Sequence, residues 1–125
     1  MTIDELNKLT NKIIGIAIDI HRALGPGFVE KIYQRAMYID LKNNSILFER
    51  EKKAAVRFKN ALLGYQNLDF IIENELVVEI KAVSKISEIH MAQVLSYLKA
   101  TNKKLGLILN FANPKIEIKR VANKL

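Results

Sequence analysis

The chain has 125 residues with no cysteine and a formal net charge of +7; half of its residues are hydrophobic and about a quarter are charged. This balance predicts one soluble globular domain over residues 1–125, and the lack of cysteine excludes disulfides and thiolate zinc sites. No apolar run approaches a membrane span and MTIDELNKLT lacks a secretory apolar core, so we expect a cytoplasmic protein without a membrane partner. The basic balance favours a polyanionic partner, nucleic acid first.

The first third of the chain predicts two helices separated by a break. Thr2 and Glu5 have the spacing of a capping box, and apolar residues then recur every three or four positions up to Leu24. Gly25-Pro26-Gly27 ends this helix. A second helix is predicted from about Phe28 to Lys42. Its inward-facing residues are predicted to be Val29, Ile32, Ala36 and Ile39.

The rest of the chain predicts strands around one further helix. Period-two alternation and turn residues place strands at 54–58, 61–72, 76–83, 105–111 and 116–121. Ser87 can cap a helix that runs to about Ala100. Its buried stripe is predicted to be Ile89, Ala92, Leu95 and Leu98. This order of elements predicts an α+β fold in which helices pack on a mixed sheet.

The stretch LVVEIKAV at 76–83 carries two charges inside an apolar strand. Alternation places Glu79 and Lys81 on one face, and buried charges need a partner or a metal. If the preceding hairpin is centred on Asn74, Asp69 lies opposite Glu79 with the Cβ atoms about 5 Å apart. Carboxylates that close repel each other unless a cation intervenes, and Mg²⁺ or Mn²⁺ suits oxygen ligands. The alternative is an ion pair between Glu79 and Lys81 on a half-solvated sheet.

Two helices can add further groups to this set. His90, Gln93 and Tyr97 share one face of the third helix, where Gln93 is predicted to contact a phosphate or Lys81. A solvated stripe with Tyr97 half in the core is the alternative. Glu30 follows the glycine turn, where it is either a third carboxylate at the metal or an acid favoured by the helix dipole.

These residues together resemble the PD-(D/E)XK nuclease superfamily, its RecB-like members, and within it the GxxExxY family. The naming motif is Gly27-Phe28-Val29-Glu30-Lys31-Ile32-Tyr33. The core motif is Asp69 followed by Glu79-Ile80-Lys81, and Gln93-x-x-x-Tyr97 resembles the RecB-like motif. The chain departs from the pattern with Leu68 in place of a proline and Asn67 in place of a basic residue.

The resemblance implies a restriction-endonuclease-like core, a central mixed sheet flanked by helices, that hydrolyses phosphodiesters in nucleic acid, with DNA the first expectation. It implies a Mg²⁺ or Mn²⁺ site. The implied metal ligands are Asp69, Glu79, the Ile80 carbonyl and Glu30. Lys81 would orient water or stabilise the transition state, with Gln93 positioning the lysine or the phosphate. The implied substrate contacts are Gln93, Tyr97, His90 and Tyr33.

The sequence is also compatible with a function other than catalysis and with an oligomer. One alternative is a catalytically silent module that binds nucleic acid or protein on the same fold, which need not take up Mg²⁺ or Mn²⁺. The other is a homodimer, since small nucleases of this fold often pair to cut both strands.

Overall fold

The computed structural model describes residues 1–124. Its elements are α1 (Ile3–Leu24), α2 (Glu30–Asn43), β1 (Phe48–Phe58), β2 (Ala61–Ile72), β3 (Leu76–Lys81), α3 (Glu88–Thr101), β4 (Leu105–Asn110) and β5 (Glu117–Ala122). The strands form one sheet in the order β1-β2-β3-β4-β5. Only β3 and β4 pair in parallel, and α3 is the crossover that a parallel connection requires. The predicted α+β fold is therefore confirmed. Within residues 1–124, no helix combines the length and hydrophobicity needed to cross a membrane.

The sheet is covered on both faces, which gives the protein two apolar layers. α1 and α2 pack on the face that carries Leu76, Val78 and Ile80. α3 packs on the opposite face, where Val77 lies. The division of β3 into two faces, as its alternation predicts, is confirmed. One face of β3 can be entirely apolar because Glu79 and Lys81 both belong to the other.

α2 turns a different face to the core from the one that its sequence predicts. Val29, Ile32 and Ile39 are 69%, 44% and 47% exposed, so the predicted inward face is wrong at these positions, whereas Ala36 is half-buried against the core as predicted. The buried residues of α2 are Tyr33, Met37 and Leu41. Both sets have helical spacing, and periodicity alone does not distinguish two such stripes on one helix.

Contacts of Tyr33 with distant parts of the chain decide how α2 is rotated. Its hydroxyl donates to the Gly25 carbonyl at 2.6 Å and accepts from the Phe28 amide at 3.3 Å. Its ring stacks on Phe111, with centroids 4.6 Å apart. The glycine turn is thereby fastened to the inner side of α2. Since Glu30 begins this helix, the same contacts fix where its carboxylate lies.

The buried stripe of α3 is also displaced from the predicted one. Ile89 is 73% exposed and Ala92 is exposed, which contradicts that prediction, whereas Leu98 is buried as expected. The buried residues of α3 are Val94, Tyr97 and Leu98. The helix is therefore rotated so that Tyr97, assigned above to a polar stripe, enters the layer against the sheet.

Strand β2 changes direction at Asp69, the position of the first predicted metal ligand. Leu68 packs in the layer under α3, whereas Phe70 packs in the layer under α1 and α2. A regular strand would place residues two apart on one face, so the strand turns between them. Across from this point Glu51 has a positive φ of 52°, which marks a matching irregularity in β1. The bend separates β2 from β3 and creates the space in which the candidate site lies.

Gly106→Ala should shift α3 because the helix lies too close to β4 for a side chain there. A Cβ at Gly106 would come within 2.6 Å of Val94 Cγ1. We expect a loss of about 1–3 kcal/mol in unfolding free energy, the usual effect of overpacking a core. Urea unfolding of the two proteins measures it. An unchanged midpoint would mean that α3 yields without cost. Gly15→Ala, whose new Cβ meets nothing within 4 Å, is the control, and it should raise the midpoint because alanine favours the helix α1.

Candidate active site

The site is built at the fork where β2 separates from β3. The ladder between the two strands ends at the pair Phe70 and Val78, in a register centred on Asn74 as the sequence predicts. Beyond this pair the Asp69 side chain takes over, and its Oδ2 accepts a hydrogen bond from the Ile80 amide at 2.8 Å. The Asp69 carboxylate is thereby held in the fork beside Glu79.

Glu79 is a buried acid whose charge the protein alone does not neutralise. Its side chain is 3% exposed, and Oε1 is buried without a hydrogen-bond partner. Burial raises the pKa of Glu79 to about 10, with a further rise from the adjacent Asp69 carboxylate that outweighs the opposing effect of Lys81. Without a cation, Glu79 is therefore protonated at neutral pH. An orphaned carboxyl oxygen against a second carboxylate is a site suited to a hard cation.

The donor set fits a magnesium-type ion with few protein ligands. Among residues 1–124, no three His, Asp or Glu side chains are arranged to hold a metal ion, so Asp69 and Glu79 would bind it as a pair. Mg²⁺ is commonly held by one or two carboxylates and keeps several of its waters. The Ile80 carbonyl stays a predicted further ligand; the Ile80 side chain points away into the core under α1 and α2.

Lys81 stands at the open side of the fork and is oriented from α3. Its Nζ donates to Gln93 Oε1 at 3.3 Å, so the predicted contact between these two side chains is present. Burial, aided by Glu79 and Asp69, raises the pKa of Tyr97 to about 12, and the Gln93 side chain opposes that rise. Tyr97 is only 6% exposed, which makes it a support for Gln93 more than a surface for a substrate.

Glu30 reaches the same region from the opposite side of the sheet. Burial raises the pKa of Glu30, Lys81 opposes that rise, and Asp69 adds to it. The Glu30 carboxylate lies against the Ala82 amide. Glu30 therefore borders the fork but does not join Asp69 and Glu79 in a three-carboxylate group.

The two remaining predicted substrate residues are placed differently. His90 is half-buried beside the site, and its Nδ1 accepts from the Ser87 amide at 3.0 Å, so it also closes the N-terminus of α3. Tyr33 is fully buried. Since its hydroxyl is engaged by the glycine turn, its placement supports a role in positioning Glu30 and offers no surface to a substrate.

The site also includes Gln66 and Ser96, which the sequence analysis did not predict. An open cleft of about 570 Å³ beside Lys81 is lined by Gln66, His90, Gln93 and Ser96 with Ile89 and Ala92. Gln66 Nε2 donates to Ser96 Oγ at 2.9 Å, and Gln66 Oε1 is buried without a partner. Strand alternation would have placed Gln66 on the face opposite Asp69. The bend in β2 places Gln66 on the same face as Asp69, and no local sequence pattern predicts that bend.

Comparisons with known proteins agree with this architecture. A family model described as the PD-(D/E)XK nuclease superfamily matches residues 7–121. The crystal structure of SSO0001 superposes with a TM-score of 0.60 at 20% identity, over 76% of this chain and 50% of that one. The alkaline exonuclease LHK-Exo from Laribacter hongkongensis gives 0.53 at 12% identity, over 75% and 55%. No curated protein matches in sequence.

The structural neighbours support the fold, whereas the family model also supports the family. The two structural neighbours show the fold alone at such low identity, and the chain spans about half the length of each. The family model, in contrast, extends over nearly the whole chain and includes every element that contributes to the fork. The restriction-endonuclease-like core expected from the sequence is confirmed, and the chain belongs to the PD-(D/E)XK nuclease superfamily.

Proposed function

We propose that this protein is a Mg²⁺- or Mn²⁺-dependent phosphodiester hydrolase that acts on nucleic acid, DNA in the first place. The observation that carries the proposal is the buried carboxyl pair of Asp69 and Glu79, whose free oxygen has no partner, next to Lys81. A pair with these features destabilises the folded chain, and its presence is best explained by a function that requires it. The GxxExxY motif at Gly27–Tyr33 further suggests that branch of the superfamily.

Each residue has a distinct role in this mechanism. Asp69 and Glu79 would hold the ion, which when bound supplies a water of lowered pKa at neutral pH. Lys81, held by Gln93 at 3.3 Å, would stabilise the charge that develops on the phosphate oxygens or orient the attacking water. Glu30 would accept a hydrogen bond from water in front of Lys81. Tyr97 would keep Gln93 in place from the buried side.

Two observations support nucleic acid as the substrate class: the net charge and the family. A net charge of +7 favours a polyanion. LHK-Exo, one of the structural neighbours, is an alkaline exonuclease, which is in keeping with a nuclease reading for this chain. A single domain over residues 1–125, a cytoplasmic location and a homodimer stay predictions.

The proposal predicts that metal binding releases protons. Because Glu79 is protonated at neutral pH without the ion and must lose its proton to bind it, Mn²⁺ uptake at about pH 7 should release about one proton per ion. Calorimetric titration in two buffers of different ionisation enthalpy measures this number. Affinity should rise as the pH increases.

Asp69→Asn is the matched control for this titration, since it keeps the size of the side chain and removes one ligand charge. It should abolish uptake, and cleavage of a mixed single- and double-stranded DNA pool should be lost with it. Wild-type protein that takes up no Mn²⁺ would refute the proposal. Uptake without cleavage of any nucleic acid would favour the catalytically silent module.

The silent module is the second candidate, and one observation favours it. A protonated Glu79 is neutral without any ion, so the buried acid beside Asp69 can also persist in a protein that takes up no metal. A protein of this kind would bind nucleic acid or protein through the same fold and keep Glu79 protonated. Uptake of Mn²⁺ separates the two candidates directly.

A further inference from the structure

The outer part of the β1–β2 hairpin extends beyond the rest of the sheet. β3 pairs only with residues 70–72 of β2, whereas β1 and β2 stay paired out to their turn. We call residues 52–67 the hairpin arm. The arm contains no Asp or Glu, and its four cationic residues are Lys52, Lys53, Arg57 and Lys59. Its charge is therefore uniformly positive over a long, two-stranded projection.

One face of the hairpin arm combines an exposed aromatic ring with two of these cations. Tyr65 is 63% exposed and pairs across the strands with Ala55, a residue too small to cover the ring. Along β1, Lys53 and Arg57 lie two positions to either side of Ala55, and the bulge beside Arg57 has its extra residue, Leu63, on β2, so the alternation of β1 places both cations on the same face as the tyrosine. The result is an open ring between two positive side chains.

Most of the cations in the arm form no salt bridge within the part of the chain that the structure describes. Among residues 1–124, salt bridges of side chains in the arm are confined to Lys52, which pairs with Glu49 at 2.8 Å, and Lys53, Arg57 and Lys59 lie outside every ion pair. Exposed large apolar residues accompany them. These residues are Phe58, Leu62, Leu63 and Tyr65. A second copy of this chain would bring one uniformly positive arm against another, which disfavours self-association through it.

We propose that the hairpin arm binds single-stranded nucleic acid, with an unpaired base stacked on Tyr65 and phosphates contacted by Lys53 and Arg57. Exposed aromatic rings in a positively charged surface are the means by which proteins hold single strands without reading sequence. In a duplex the base faces are already stacked on each other, so an isolated ring has nothing to receive. The proposal rests on the proposed function, for which it names the substrate class.

The arm is connected to the candidate site by a single strand. Tyr65 precedes Asp69 by four residues, a separation of at most about 13 Å along an extended strand. Gln66, between them, already lines the cleft beside Lys81. Tyr65 and Gln66 are neighbours on β2 and face opposite sides of it, so a strand of nucleic acid held on Tyr65 would pass around the edge of β2 that β3 leaves unpaired to reach the fork.

Binding of a fluorescent oligodeoxythymidine and of its duplex with oligodeoxyadenosine tests the proposal by anisotropy, in EDTA so that no cleavage occurs. Tyr65→Ser should weaken binding of the single strand about tenfold or more, and Tyr65→Phe should bind like wild type. The double variant Lys53→Ser/Arg57→Ser should lower the slope of log affinity against log salt by about 1.4. The control Lys8→Ser/Lys12→Ser on α1 loses the same charge outside the hairpin arm. It should still bind the single strand more tightly than the duplex.

Three outcomes would overturn the proposal. They are wild-type affinity in Tyr65→Ser, an equal loss on the duplex, and a wild-type dimer that Tyr65→Ser dissociates without any change in affinity. Mn²⁺ titration of Tyr65→Ser separates this result from the proposed function. If Tyr65→Ser takes up metal normally and its oligonucleotide affinity is unchanged, only the proposal that the hairpin arm binds nucleic acid is rejected. If the wild-type protein takes up no metal, the hydrolase proposal is rejected. The anisotropy measurement still tests binding by the hairpin arm in that case.

Discussion

Alanine in place of Lys81 is expected to slow phosphodiester cleavage by about 10²–10³-fold while Mn²⁺ uptake persists. The lysine is not one of the carboxyl ligands, and its ammonium lies at the open side of the fork where the phosphate would enter. Its removal takes away a charge that matters most when negative charge accumulates in the transition state. Single-turnover cleavage at saturating Mn²⁺, with calorimetry on the same preparation, measures both quantities.

Two further variants make this result specific. Lys85→Ala removes the same charge from an exposed position after β3 and should cleave like wild type. Gln93→Ala should have a smaller effect than Lys81→Ala because it removes the hydrogen bond that orients the ammonium and leaves the charge in place. Full cleavage by Lys81→Ala would remove the lysine from the mechanism.

Glu79→Gln is expected to stabilise the metal-free protein while abolishing metal uptake. Burial, followed by the neighbouring Asp69, raises the pKa of Glu79 from 4.5 to about 10 in the folded chain. For a group whose folded pKa is raised, the stability contribution is complete below the unfolded pKa and is lost as the pH rises toward the folded one. The acid therefore weakens the wild-type protein progressively between about pH 4.5 and pH 10, and glutamine, which does not titrate, avoids that loss.

The size of the effect follows from the linkage between protonation and folding. Each pH unit in this window changes the unfolding free energy by about 1.4 kcal/mol, so the variant should gain about 3 kcal/mol at neutral pH relative to acid conditions. Urea unfolding in EDTA at about pH 5, 7 and 9 measures the difference. A gap between variant and wild type that does not widen with pH would contradict the assigned protonation state.

Glu117→Gln provides a control of opposite sign. Hydrogen bonds from the Asn110 side chain at 2.9 Å and the Ile86 amide at 3.0 Å lower the pKa of Glu117. Its contribution is present above the unfolded pKa and is lost as the pH falls. The substitution should therefore destabilise the protein at neutral pH and have little effect in acid, the reverse of Glu79→Gln.

The sequence pattern alone predicted the local features for which it allowed a single interpretation. The three-residue turn centred on Asn74 set the register of the hairpin, whose ladder ends at Phe70 and Val78, one pair before Asp69 and Glu79. The capping box of Thr2 and Glu5 is present as predicted, with hydrogen bonds of 3.1 and 3.2 Å. Alternation in LVVEIKAV separated the charges from the core face because a strand has only two faces.

Tertiary contacts decided the features for which the sequence offered two answers or none. The rotation of α2 depended on the burial of Tyr33 against Phe111, a partner far along the chain. The entry of Gln66 into the cleft required β2 to bend at Asp69, between Leu68 in one layer and Phe70 in the other. The residue types at the fork and the register of its hairpin were thus predictable from the sequence. The burial that raises the pKa of Glu79 depends on the packing of α3 over the sheet, since desolvation is a property of the surroundings.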